Sequence, residues 1–170
     1  MNGGCHVLIL EARFYPDIAD ELVKGAMAVL ERSNATVARL AVPGAFELPA
    51  AIRFALRGTG AGAPGQAPGQ APGQAPGQAP GQAYDGFLAL GCVIRGETDH
   101  YDHICREVSR GLMDLTLDPG IALGFGVLTC RDRAQAWERA IATGKNKGGD
   151  AAAACLAMID LKRRFGLVSS

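Results

Sequence analysis

The sequence predicts an α/β fold, a three-layer sandwich in which a four-stranded parallel sheet lies between two layers of helices. Two observations lead there. Short, nearly continuous apolar runs such as Val7-Leu8-Ile9-Leu10 and Phe87-Leu88-Ala89-Leu90 have the length and composition of strands buried on both faces. Between such runs lie segments whose apolar residues recur at helical spacing, so strand and helix alternate and each crossover returns to a parallel neighbour. Right-handed crossovers make 2-1-3-4, the flavodoxin-like order, the leading topology.

The elements follow in order. His6 to Glu11 reads as the first strand. Pro16-Asp17 opens a helix to about Ser33, with Ile18, Leu22, Ala26, Val29 and Leu30 on one side. Thr36 to Val42 is a second, weaker strand, and Pro43-Gly44 turns the chain into a helix from about Phe46 to Arg57, where Pro49 is acceptable only in the first turn. Five copies of Ala-Pro-Gly-Gln then run from Ala63 to Gln82. With no large apolar or charged residue, this array, bounded at about 58–83, is expected to be a disordered insertion in a single domain spanning 1–170. Lengthening a loop from ~6 to ~27 residues costs only about 1.3 kcal/mol of closure entropy, so a folded core tolerates it. Beyond it come a third strand from Tyr84 to Val93, a helix over 100–116, a turn at Asp118-Pro119-Gly120 and a fourth strand from Ile121 to Thr129. Two helices complete the chain, Arg131 to Thr143 and Lys147 to Phe165.

Composition narrows the function classes. Seventeen basic residues balance seventeen acidic ones among 170, and neither sign forms a long block, which removes the electrostatic footprint of a nucleic-acid or anionic-membrane binder. The five cysteines are odd in number and widely spaced, with no C-x-x-C, as expected of reduced cytoplasmic thiols. No segment has signal-peptide or membrane-spanning character, so a soluble intracellular protein is expected.

In a parallel sheet, ligands bind at the carboxyl ends of the strands. Four loops meet there: Arg13-Phe14-Tyr15, Pro43 to Glu47, Cys92 to His100, and Thr129 to Arg133. The third is the most informative. Gly96 loosens the backbone, Thr98 or Asp99 can cap the next helix, and a helix start favours an anion. His100 adds a side chain of the type that exchanges protons near neutral pH. Phe14 either stacks on a planar ligand or caps the core. Glu47 suits a helix start whether or not it also accepts ligand hydroxyls. Cys92 reads as a small buried residue rather than a nucleophile. His100 and His103 share a helix face, but a third metal ligand with recognisable spacing is missing. Arg139 fits a charged helix face, whereas Lys147 puts a cation at a helix start, against the dipole, a local conflict that marks it as a functional candidate.

Taken together, Ala12-Arg13-Phe14-Tyr15, the run VPGAFELP from Val42 to Pro49, the run LGCVIRGETDHYD from Leu90 to Asp102, FGVLT from Phe125 to Thr129, QAWERA from Gln135 to Ala140 and Asn146-Lys147-Gly148 closely resemble the lumazine synthase family, from about Val7 to Phe165 outside the repeat. The resemblance implies condensation of 5-amino-6-(D-ribitylamino)uracil with 3,4-dihydroxy-2-butanone 4-phosphate to 6,7-dimethyl-8-ribityllumazine, the penultimate step of riboflavin biosynthesis, with no metal or organic cofactor. It implies that Phe14 stacks on the pyrimidine, that Ala45, Phe46, Glu47, Cys92, Val93 and Ile94 hold the ring and ribityl chain, and that Glu97, Thr98 and Arg139 bind the phosphate. By the same resemblance His100 transfers protons, Phe125 reaches into a neighbouring subunit's site and Lys147 lies near the ligand. It implies a homo-oligomer of at least five subunits, with larger particles or hollow shells in some members, and riboflavin synthase as a partner. Tyr15 stands where many relatives carry Asn. A non-catalytic lumazine or flavin carrier is the alternative, but a carrier needs neither a phosphate anchor nor a proton-transfer group. A receiver domain would need clustered acids after strand one and a phospho-acceptor Asp after strand three, where Arg13-Phe14-Tyr15 and Cys92-Val93-Ile94 stand instead.

Overall fold

The computed structural model describes residues 4–58 and 84–167; the Ala-Pro-Gly-Gln array, and with it the expected insertion, lies outside the described residues. Four strands, β1 (His6–Ala12), β2 (Thr36–Val42), β3 (Gly86–Ile94) and β4 (Ala122–Cys130), form one sheet of order β2-β1-β3-β4, parallel at every pairing. The helices are α1 (Pro16–Arg32), α2 (Leu48–Gly58), α3 (His100–Leu117), α4 (Arg133–Ala140) and α5 (Lys147–Arg164). The expected fold class and strand order are therefore the observed ones.

Strand alternation divides the core in two. Val7 and Ile9 of β1 and Leu88, Leu90 and Cys92 of β3 face α1, α4 and α5. Leu8, Leu10, Phe87 and Ala89 face α2 and α3. All of β1 is buried, whereas β2, at the sheet edge, alternates between exposed and covered residues, which is why its sequence signal is weaker. Ile18, Leu22 and Leu30 of α1 are completely buried. Each such side chain contributes about 1.5–3 kcal/mol, so one apolar stripe suffices to dock that helix.

Several expected boundaries move by a residue or two, β3 for instance beginning at Gly86 rather than Tyr84, and two helices differ for reasons the structure makes plain. The second helix does not start as α-helix at Phe46: Ala45–Glu47 form one 3-10 turn, and α2 begins at Leu48 with Pro49 in its first turn, where the missing N–H costs nothing. The fourth helix is Arg133–Ala140 rather than Arg131 to Thr143. Asp132 caps its start by accepting from the Gln135 N–H at 2.8 Å, and at Ile141 the backbone swings out of helical geometry. The Ala142 N–H then donates to the Glu21 carboxylate of α1 at 3.0 Å, a tertiary bond that takes over from the helix.

Candidate active site

The carboxyl ends of β1, β2 and β3 open onto a cleft of about 550 Å³. That size suits a small organic ligand. Phe14 and Tyr15 line it from the first loop, Pro43 to Glu47 from the second, and Cys92, Val93, Ile94, His100 and Ile104 from β3 and the start of α3.

The first wall is aromatic and firmly mounted. The Arg13 N–H donates to the Val42 carbonyl at 3.0 Å, and its guanidinium bonds Glu11 at 3.1 Å and Asp20 at 2.7 Å. Glu11, a buried carboxylate, also accepts from Arg39 of β2 at 2.5 Å. Removing either arginine would weaken the compensation of a buried charge, so this network strongly constrains the chain entering the site. Beyond it Phe14 stands 69 % exposed, which decides against a core-capping role. Its one aromatic neighbour among the described residues is Tyr15, at 4.9 Å between centroids and 75° between planes, and Tyr15 itself packs on the core. An edge-on contact of this kind steadies Phe14 while leaving a face for a planar ligand.

The second wall comes from the 3-10 turn. Ala45 is buried, Phe46 is 57 % exposed, and the Glu47 carboxylate folds back towards Gly44. The floor is apolar. Cys92 is buried, and burial, reinforced by the neighbouring Cys130 thiol, pushes its pKa up to about 12. Burial thus favours the neutral thiol, as suits a small packing residue rather than a nucleophile.

The third loop carries the polar groups. His100 is exposed, lines the cleft and begins α3. Thr98 accepts a long bond from the His100 N–H at 3.4 Å, while the Asp99 side chain, at the cap position, makes no capping bond. Of the two expected capping residues, Thr98 takes the part, and weakly. Glu97 and Thr98 stand exposed on the loop between the lining residues Ile94 and His100.

Glu97 and Thr98 do not line the cleft but flank it, and three further candidates lie away from it within one chain. Phe125 lies on the edge strand β4, 47 % exposed. Arg139 on α4 donates to the Gln135 carbonyl at 3.0 Å and lies 3.7 Å from Glu138. Lys147 begins α5 and pairs with Asp150 at 2.6 Å, which offsets its conflict with the helix dipole. His103 engages Arg106 at 2.9 Å, and among the described residues no three His, Cys, Asp or Glu side chains are placed to hold a metal ion. Also among the described residues, no helix is long and apolar enough to cross a membrane. Sequence reasoning missed Ile104, although its position one helical turn after His100 puts both on one face.

A family model described as 6,7-dimethyl-8-ribityllumazine synthase matches residues 4–163. Among similar proteins, a 6,7-dimethyl-8-ribityllumazine synthase of Bartonella tribocorum is 47 % identical over 161 residues, covering 95 % of this chain and 92 % of its own. A 6,7-dimethyl-8-ribityllumazine synthase 1 of Rhizobium meliloti is likewise 47 % identical, over 95 % of this chain and 94 % of its own. One from Paramagnetospirillum magneticum is 45 % identical, over 96 % of this chain and 98 % of its own. With the parallel sheet and its strand-end cleft, these matches leave one assignment: the chain belongs to the 6,7-dimethyl-8-ribityllumazine synthase family.

Proposed function

We propose that this protein condenses 5-amino-6-(D-ribitylamino)uracil with 3,4-dihydroxy-2-butanone 4-phosphate to give 6,7-dimethyl-8-ribityllumazine, the penultimate step of riboflavin biosynthesis. The observation that carries the reading is the single cleft that joins exposed Phe14, the Ala45-Phe46-Glu47 turn, the apolar Cys92-Val93-Ile94 floor and His100.

The chemistry fits these groups. The pyrimidine lies against Phe14, with its ring and ribityl chain along Ala45 to Glu47 and Cys92 to Ile94. Its amine attacks the ketone, water leaves to form a Schiff base, phosphate departs and the ring closes. Each step moves a proton, and His100 on the rim relays it. The loop at Glu97 and Thr98 receives the phosphate, so both reactants are held together and the reaction becomes effectively intramolecular.

Phe125, Arg139 and Lys147 lie off the cleft in one chain, and in our reading a neighbouring copy presents Phe125 to the site and Arg139 to the phosphate. A homo-oligomer of at least five subunits accommodates that, in the cytoplasm and with riboflavin synthase taking the product. The whole chain acts as a single domain.

A continuous optical assay with both substrates, chelator present and no metal added, should show formation of the lumazine. No product, with lumazine or riboflavin still bound, would move the assignment to a carrier. Arg139→Ala is expected to raise KM for the phosphorylated butanone about tenfold and to leave that for the pyrimidine near its original value, the loss of roughly 1.4 kcal/mol for a charge-assisted bond. Equal changes in both would make Arg139 structural.

A further inference from the structure

Arg95 has no part in the substrate contacts above, yet it sits where a cation beside a phosphate loop would be read as a phosphate ligand. Its geometry is different. The Arg95 N–H donates to the Cys130 carbonyl at 2.9 Å, extending the β3–β4 pairing by one residue. Its guanidinium reaches across the loop and donates through both arms to Asp102 in the first turn of α3, at 3.0 and 2.6 Å. The same guanidinium lies 4.3 Å from the centre of the Tyr101 ring. The fork is committed to a carboxylate and its face to an aromatic ring, an arrangement that a lysine cannot reproduce.

We infer that Arg95 and Asp102 are positioning residues, a clasp that closes the base of the 96–99 loop and fixes the backbone that receives the substrate's phosphate. Apart from the clasp the loop is tied down at its far end, where the Asp99 carbonyl accepts from the Asp102 and His103 N–H groups at 3.0 and 3.2 Å, and its Gly96 to Thr98 stretch is held only loosely. A Cβ at Gly96 would meet nothing within 4 Å, and the Thr98 bond to the His100 N–H is long, at 3.4 Å. A loop fixed before binding loses less freedom on taking up its ligand, so the clasp acts on affinity. The Arg95 guanidinium also holds the Asp102 carboxyl below the usual carboxylate range, so the pair is ionised throughout the neutral region.

The inference rests on the phosphate assignment under the proposed function, and the test separates the two. Binding of inorganic phosphate, measured by calorimetry, is compared in the wild-type protein, Arg95→Ala, Asp102→Ala and the double variant, alongside steady-state kinetics. A clasp predicts that each single variant weakens phosphate binding and raises KM for the phosphorylated substrate by roughly three- to tenfold, the scale of one exposed bidentate pair with a stacked cation. The double variant should be no worse than either single one, because each already opens the clasp. KM for the pyrimidine should stay constant, and Arg95→Lys should fall between wild type and Arg95→Ala. If Arg95 instead bound phosphate directly, Asp102→Ala would release it and tighten binding while Arg95→Ala weakened it, which would overturn the clasp. Unchanged phosphate binding in both single variants would overturn it as well. Failure of the wild-type protein to bind phosphate would remove the loop assignment together with the clasp. Phosphate binding without turnover would remove only the proposed reaction.

Discussion

Turnover in a His100→Ala variant is expected to fall ten- to a hundredfold, with KM for the pyrimidine and the state of assembly unchanged. A positioned acid–base group typically contributes 10²–10⁴-fold, and two features place His100 at or below the lower limit of that range. The side chain is exposed at the rim of the cleft, so water can enter the space it leaves. The reaction also brings its own phosphate to the site, and a phosphate dianion can carry a proton. The pyrimidine should be held as before, because Phe14 and the Cys92-Val93-Ile94 floor come from other parts of the sheet edge and do not depend on the imidazole. Steady-state kinetics with each substrate varied in turn gives the answer, and an unchanged kcat would remove His100 from the proton path.

Much of this arrangement was legible in the sequence because it follows from local rules. Continuous apolar runs mark doubly covered strands, and a parallel sheet gathers its strand ends at one edge, so Phe14, Glu47, Cys92 and His100 could be brought together without coordinates. What was not legible depends on partners distant in the chain. The fourth helix ends at Ala140 because the Ala142 N–H finds Glu21, 121 residues away, and no local pattern announces that bond. The exposure of Phe14 likewise depends on Tyr15, not Phe14, turning onto the core. Arg95 and Asp102 are seven residues apart, but Arg95 lies before α3 begins, so helical register does not pair them, and only the turn between β3 and α3 brings fork to carboxylate. Lys147 is the converse case. Its conflict with the helix dipole drew attention, yet Asp150 three residues on was visible in the sequence as an ordinary partner.

Gly148→Ala is expected to destabilise the fold by about 3 kcal/mol, the upper part of the usual range for overpacking, and to lower the thermal midpoint by roughly 6–12 °C for a chain of this length. A Cβ at Gly148 would lie 1.9 Å from the Leu22 carbonyl oxygen, 2.7 Å from its carbon and 2.9 Å from Leu22 Cα. All three are backbone atoms of α1, so no change of rotamer relieves the contact and the two helices must separate. The neighbouring contacts offer little slack. A Cβ at Gly25 would stand 2.0 Å from the Asn146 side-chain oxygen, and that oxygen accepts the Gly149 N–H at 3.1 Å to cap α5. On the sheet side, a Cβ at Gly124 would come within 2.2 Å of the Ala151 carbonyl oxygen, so α5 is pressed between α1 and β4. Displacing its first turn therefore disturbs both contacts. Gly96→Ala is the matched control: nothing lies within 4 Å of the added methyl, and the change removes backbone freedom from the unfolded chain, so the midpoint should stay level or rise slightly. Thermal unfolding of both variants at one protein concentration makes the comparison, since association stabilises the fold by mass action. A Gly148→Ala protein that melts with the wild type would mean that α1 and α5 yield at little cost.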